Sequence, residues 1–185
     1  METKIQMTEI IQIIVLSSVL VLIVLMLITI LTLFFVAKAP YVPSQKKMIK
    51  SILDSIQMKK NAKLYDLGCG DGRFLIQAEK TYQIKGIGFE ISIIPYLFSI
   101  LFKKIEKSDV QIHFANFYKK NLSDADYIFC YLYPEMMEKV AEKIKKECKK
   151  GTKLISNTFS IKNMQPSKVI AKNKNQKQNI YIYEF

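Results

Sequence analysis

The residues best suited to chemistry stand together as Asp66-Leu67-Gly68-Cys69-Gly70-Asp71-Gly72. A short apolar run precedes them and a helical pattern follows, so the glycines fall in a turn between a strand and a helix. Such a turn lets a ligand lie against bare backbone, because a side chain at Gly68 or Gly70 would occupy its space. A dinucleotide fingerprint would place its last glycine where this chain has Arg73, and a Walker loop would end in Gly-Lys-Ser/Thr. Neither pattern is present. Glu90 stands twenty residues beyond Gly70, at the end of a second apolar run. A carboxylate there can accept hydrogen bonds from both hydroxyls of a ribose; the ordinary alternative is a solvated strand end. Asn116-Phe117 closes a third run, where Asn116 has an Asx turn as its ordinary alternative. All three positions are carboxyl ends of strands, where open α/β sheets bind their ligands.

The hydrophobic pattern supplies the scaffold for these residues. A helical pattern at Met48, Ile49, Ile52, Leu53 and Ile56 follows Ser44, a candidate cap. Strands are expected at Lys63–Leu67, Ile84–Glu90, Val110–Ala115, Tyr127–Leu132 and Lys153–Phe159. The fourth is wholly apolar, as a strand buried on both faces should be. Helices are expected over Arg73–Tyr82, Ile94–Glu106 and Pro134–Lys149, the last acidic early and basic late, with Gly151 beyond its end. Ser167–Ala171 and Ile180–Tyr183 flank a polar stretch and read as an antiparallel hairpin. Strands alternating with helices imply a Rossmann-like α/β domain with a mostly parallel sheet and right-handed crossovers.

Ahead of this domain, Ile10 to Ala37 contains no charged residue. A bilayer-spanning helix needs roughly 20 apolar residues, so the run predicts one transmembrane helix. Ala37-Lys38-Ala39 resembles a signal-peptidase site, but secretory apolar regions run about 7–15 residues and follow a positive start. Here the run is longer, and Glu2 and Glu9 outnumber Lys4. The chain thus divides into a tail at 1–9, a membrane helix at 10–37, a juncture and pre-core helix at 38–60, and a ligand-binding domain at 61–185. Lys38, Lys46, Lys47 and Lys50 follow the helix with no acid before Asp54, which orients the domain to the cytoplasm. Single-pass membrane placement with a cytoplasmic domain is the expectation. The chain carries 28 basic and 16 acidic residues, a net charge of +12. That excess suits anionic lipid headgroups beside a tether better than nucleic acid, and a lysine-rich genome would also produce it. Cys69, Cys130 and Cys148 form no Cys-x-x-Cys pair, and His113 is the only histidine. Neither a disulfide framework nor a metal site is indicated.

The acid-x-Gly-x-Gly-x-Gly pattern of Asp66 to Gly72 resembles motif I of the class I S-adenosylmethionine (SAM)-dependent methyltransferases. The resemblance implies that Asp66 contacts the methionine ammonium side of SAM, directly or through water. It further implies that Gly68, Cys69, Gly70 and Gly72 pack under the methionine and ribose, and that Glu90 holds the ribose. Asn116 would read the adenine, with Phe117 against the ring. Residues 38–160 more narrowly resemble the small membrane-anchored protein lysine methyltransferases that modify ATP synthase subunit c and the adenine nucleotide translocase. The shared elements are a membrane helix, Pro40-Tyr41-Val42-Pro43-Ser44, the stretch Asp66 to Arg73, and Gly88-Phe89-Glu90 with an aliphatic helix after it. In that family the pre-core segment folds over the SAM pocket, which makes Tyr41, Pro43 and Ser44 lid candidates. The composition suggests a bacterial or archaeal chain, so the family's eukaryotic targets do not carry over.

In class I enzymes the end of the fourth strand faces the transferred methyl. This chain has Tyr131-Leu132-Tyr133-Pro134 there, not the Asn/Asp-Pro-Pro-aromatic motif of DNA- and glutamine-modifying enzymes. Ring walls attract a cation and a hydroxyl can bond an amine, which suits a lysine slot. The alternative is that Tyr131 and Tyr133 are packing residues. No obvious base stands at the strand ends; Asp71 and Tyr131 are candidate helpers, with proton loss to water after desolvation of the amine. The resemblance therefore implies methylation of a lysine on a membrane or membrane-adjacent protein. A lipid-soluble small acceptor is the competing reading, and a non-catalytic SAM-binding protein the third.

Overall fold

The computed structural model describes residues 2–36, 46–173 and 176–185. It separates into two compact units, Met1–Pro40 and Tyr41–Phe185.

The first unit is one helix, α1 (Glu2–Val36), that starts before the uncharged run and takes in the short polar tail. Its segment Glu9–Leu31 covers 23 residues with mean hydropathy 3.2, and none of it is buried. At about 1.5 Å per residue such a segment is about 35 Å long, enough to cross a hydrocarbon core of about 30 Å. Ser17, Ser18 and Thr29 turn their hydroxyls back onto the carbonyls of Ile14, Val15 and Leu25. Those polar side chains therefore satisfy themselves within the helix, as an apolar surrounding requires.

The second unit runs α2 (Lys46–Ser55), β1 (Lys63–Leu67), α3 (Arg73–Tyr82), β2 (Lys85–Glu90), α4 (Ile93–Ile105), β3 (Gln111–Phe114), β4 (Tyr127–Cys130), α5 (Pro134–Glu147), β5 (Lys153–Asn157), β6 (Lys168–Asn173) and β7 (Gln176–Glu184). The seven strands form one sheet in the order β3-β2-β1-β4-β5-β7-β6. Strands β1 to β5 pair in parallel, and β7 runs antiparallel between β5 and β6. The hairpin thus joins the sheet through its second strand.

Alternating side chains of each strand enter two cores. Leu64, Tyr127, Phe129 and Ile155 meet α2 and α3 on one face, whereas Leu67, Ile128, Cys130 and Leu154 meet α5 on the other. The central strand β4 is buried at all four positions, in keeping with its apolar sequence. Each fully buried aliphatic side chain contributes about 1.5–3 kcal/mol, so these strands hold the domain together. The β3–β4 connection contains only a single 3₁₀ turn at Phe117–Lys119, and no helix lies between β5 and β6.

Three strands end earlier than their sequences suggest, β3 by one residue, at Phe114, and β4 and β5 by two. β4 stops at Cys130 because its neighbour β1 ends opposite, at Leu67, and turns into the glycine loop. Tyr131 and Leu132 therefore lie beyond the strand. β5 stops at Asn157 because Thr158 takes φ 76°, which breaks the extended backbone.

Candidate active site

The parallel register brings the carboxyl ends of β1, β2 and β4 level. Leu67 pairs with Phe89 on one side and Cys130 on the other. The chain then turns sharply, with Gly68 at φ 80°, Gly70 at 56° and Gly72 at 75°. Only glycine adopts such angles without strain. At Gly72 space is also short, since an added Cβ would meet Ile112 Cδ1 at 2.8 Å. The loop is fastened to β2: the N–H groups of Gly68 and Cys69 both donate to the Phe89 carbonyl, at 2.9 and 3.0 Å. Gly68 remains exposed, so the first glycine presents bare backbone to solvent.

Glu90 reaches back to the same loop. Its Oε2 accepts from the Gly70 N–H at 2.9 Å, and its Oε1 accepts from Ile91 N–H at 2.9 Å and Ser92 N–H at 2.7 Å. A carboxylate has about four acceptor places. Three are taken by these backbone N–H groups, which leaves one place, on Oε2.

Asp66 is 2 % exposed. Burial, then the charges of Glu90 and Asp71, hold its carboxyl well above the usual carboxylate range. A cationic group beside it would relieve all three effects. Asp71 is equally buried, but its carboxylate is gripped by Arg73, whose Nε lies 2.7 and 2.9 Å from the two oxygens. That ion pair ties the loop to the start of α3 and occupies the carboxylate that a proton acceptor would need.

The other sequence-selected residues fall in varied surroundings. The Cys69 side chain turns into the core, so that a Cβ at Gly88 would meet its Sγ at 2.7 Å. Burial and the nearby Asp66 and Glu90 charges push that thiol upward. Asn116 Oδ1 accepts from the Tyr118 N–H at 3.0 Å, the Asx-type turn that opens the 3₁₀ segment. Phe117 is 7 % exposed within the cluster that contains Leu67, Phe89 and Leu132. Tyr133 is exposed at the N-cap of α5 and Pro134 opens that helix. Tyr41, Pro43 and Ser44 lie outside the described residues. Among the described residues, no group of three His, Cys, Asp or Glu side chains stands close enough to hold a metal.

Phe159 was not selected from the sequence. Its ring stacks on Tyr131, with centroids 6.4 Å apart and planes 23° from parallel. Tyr131 follows the end of β4 directly, and Phe159 lies two residues beyond the end of its neighbour β5. A residue count from the end of β5 would point to it, but that end lies two residues earlier than the apolar pattern suggests.

A sheet of this order, a glycine turn after β1 and an acid at the end of β2 together define a class I SAM-dependent methyltransferase. The buried Asp66 carboxylate, beside the charges of Glu90 and Asp71, and the open Gly68 backbone fit a ligand that carries an ammonium and a sulfonium. The chain belongs to the ANTKMT methyltransferase domain family, whose sequence profile matches residues 66–168. It is 32 % identical over 155 residues to a protein-lysine N-methyltransferase of Saccharolobus islandicus, a match covering 80 % of this chain and 95 % of that one. It is 24 % identical to the mouse adenine nucleotide translocase lysine N-methyltransferase over 72 % of its own length, but spans only 58 % of that relative. In fold it resembles an RNA methyltransferase from Salinibacter ruber in complex with S-adenosyl-L-homocysteine. The TM-score is 0.72 at 23 % identity, over 77 % of this chain and 93 % of that one.

Proposed function

We propose that this methyltransferase transfers the SAM methyl group to the side-chain amine of a lysine in a membrane or membrane-adjacent protein. The observation that carries the reading is the kinship with the archaeal protein-lysine N-methyltransferase along 95 % of that enzyme. The apolar segment Glu9–Leu31 supports a single-pass anchor. The nine positions between Val36 and Lys46 span at most about 35 Å, which keeps the catalytic domain near the bilayer.

SAM, when bound, supplies an electrophilic methyl on a sulfonium. The chain's residues position and desolvate. Asp66 faces the ammonium end, Glu90 offers its remaining acceptor place to the ribose, and the Gly68 backbone leaves room between them. Asn116 and Phe117 lie at the adenine end in this reading. Tyr131, Phe159 and Tyr133 line the approach of the acceptor lysine, with Tyr131 able to accept or donate a hydrogen bond at the amine. A ring wall attracts the ammonium form with about 0.5–2 kcal/mol. Desolvation then favours the neutral amine, which alone is nucleophilic. Its proton leaves to water, since Asp71 is held by Arg73. The neutral amine attacks in line from about 3–3.5 Å, and the methyl–sulfur bonding pair stays with sulfur, which leaves as a neutral thioether.

The test is incubation of native membranes with methyl-labelled SAM and the full chain. Label recovered as methyl-lysine after acid hydrolysis of the protein fraction supports the proposal. Label moving into the organic phase would mean a lipid acceptor, and no labelled acceptor would mean a non-catalytic SAM-binding protein.

A further inference from the structure

The helix that follows Glu90 is left uncovered along its apolar side. Of the thirteen residues of α4, only Pro95 and Ser99 are buried. Ile93, Ile94, Leu97, Phe98, Leu101 and Ile105 are each 46–62 % exposed. At 100° per residue they occupy one continuous arc of the helix. Phe114 on the neighbouring β3, 54 % exposed and 5.4 Å from the Tyr96 ring, extends the patch. Single exposed apolar side chains need no explanation, but a contiguous patch of this kind marks an interaction surface.

We infer that this α4 face lies in the bilayer interface as a second, non-spanning membrane contact. The inference builds on the anchored-enzyme reading but concerns different residues. Three observations select lipid as the occupant. First, α4 contains no acidic residue, and its only charges, Lys103 and Lys104, lie in its last turn. Beyond it Glu106, the first acid, pairs with Lys80, and Lys107 is exposed. An apolar arc bordered by lysines matches acyl chains beneath anionic headgroups. Second, the short connection after Val36 keeps the domain within reach of the membrane that α1 is suited to cross. Third, the opposite face of the domain does not share the pattern: α5 buries Met137, Val140, Ala141 and Ile144 and exposes charged residues.

The contact has a consequence for the active site. Ile91 and Ser92, the two residues that lead into α4, donate the backbone hydrogen bonds that hold Glu90 Oε1. Seating α4 in the interface would therefore orient the ribose end of the SAM site relative to the bilayer. It would select acceptor lysines at a defined height above the headgroups.

Depth-dependent quenching tests this with the full chain in phosphatidylcholine vesicles containing phosphatidylglycerol. A fluorophore is placed at Leu97→Cys or Leu101→Cys in a Cys148→Ala background, with Lys139→Cys on α5 as the control and Ile23→Cys reporting α1. SAM binding by calorimetry verifies that each labelled chain is folded. The expected result is loss of most emission at positions 97 and 101 when the vesicles carry a headgroup-proximal nitroxide lipid, protection there from aqueous iodide, and neither effect at 139. Iodide-accessible, unquenched labels at 97 and 101 would overturn the inference. So would labels protected from iodide yet not quenched by lipid, which would mean a second copy or another protein covers α4. Position 23 reads separately: a deep nitroxide that fails to quench it removes the anchor, while quenching at 97 and 101 still decides α4.

Discussion

Replacing Asp66 by Asn should move ligand affinity and pH-dependent stability in opposite directions. Asp66 is 2 % exposed, with Glu90 and Asp71 as charged neighbours, and its carboxyl is held well above the usual range by burial first and those charges second. A charge-assisted hydrogen bond to an ammonium contributes about 1.5–3 kcal/mol, so Asp66→Asn should weaken SAM binding roughly ten- to hundredfold. Stability follows a different course. Because the folded pKa lies above the unfolded one, the unfolded chain ionises first as pH rises. Stability is then full below about pH 4 and declines toward the raised pKa, by up to about 1.4 kcal/mol per pH unit. The Asp66→Asn chain lacks this slope and should become the more stable of the two at pH 8, with little difference at pH 4. A bound ammonium favours the carboxylate, so SAM binding to the parent should release a proton and tighten as pH rises through the Asp66 titration. The variant should show neither effect. Calorimetric titration in buffers of different ionisation enthalpy and urea unfolding from pH 4 to 8 read both quantities. An unchanged SAM affinity would refute the assignment of Asp66 to the ligand, and an equal loss of stability at every pH would refute its raised pKa.

Three further outcomes follow from the same geometry. Glu90→Gln leaves one acceptor oxygen for three converging backbone N–H groups; it should cost about 1–3 kcal/mol by thermal unfolding and loosen SAM binding as well. Gly88→Ala places a methyl 2.7 Å from Cys69 Sγ and 2.8 Å from Leu75 Cδ1; the overpacking should cost about 1–3 kcal/mol in urea titration. Tyr131→Ala removes the ring that stacks on Phe159 and should raise the KM for a lysine acceptor severalfold through the lost cation–π attraction. Tyr131→Phe should keep that KM, with any loss confined to kcat.

Local patterns carried much of the architecture. The strand-turn-helix around Asp66 to Gly72, the apolar β4 and the uncharged stretch within α1 are properties of neighbouring residues, and all are visible in one dimension. Ends were harder to place. Where β4 stops depends on where β1 stops beside it, and the turn at Thr158 depends on a single left-handed residue. The site divides in the same way. That Glu90 and the glycine turn belong together follows from strand order, but their direct hydrogen bond does not.

The amino-acid sequence alone determined that a glycine-rich turn follows a buried strand, that an acid ends the next strand, and that one apolar segment is long enough to cross a bilayer. These follow from residue type and periodicity, which act over a few positions. Tertiary structure alone decided that Asp71 is spent on Arg73, that Cys69 faces the core, that Phe159 joins Tyr131, and that β7 slips between β5 and β6. It also decided that one side of α4 stays bare. Each depends on which distant segments pack together, and long-range packing leaves no periodic signature in the chain.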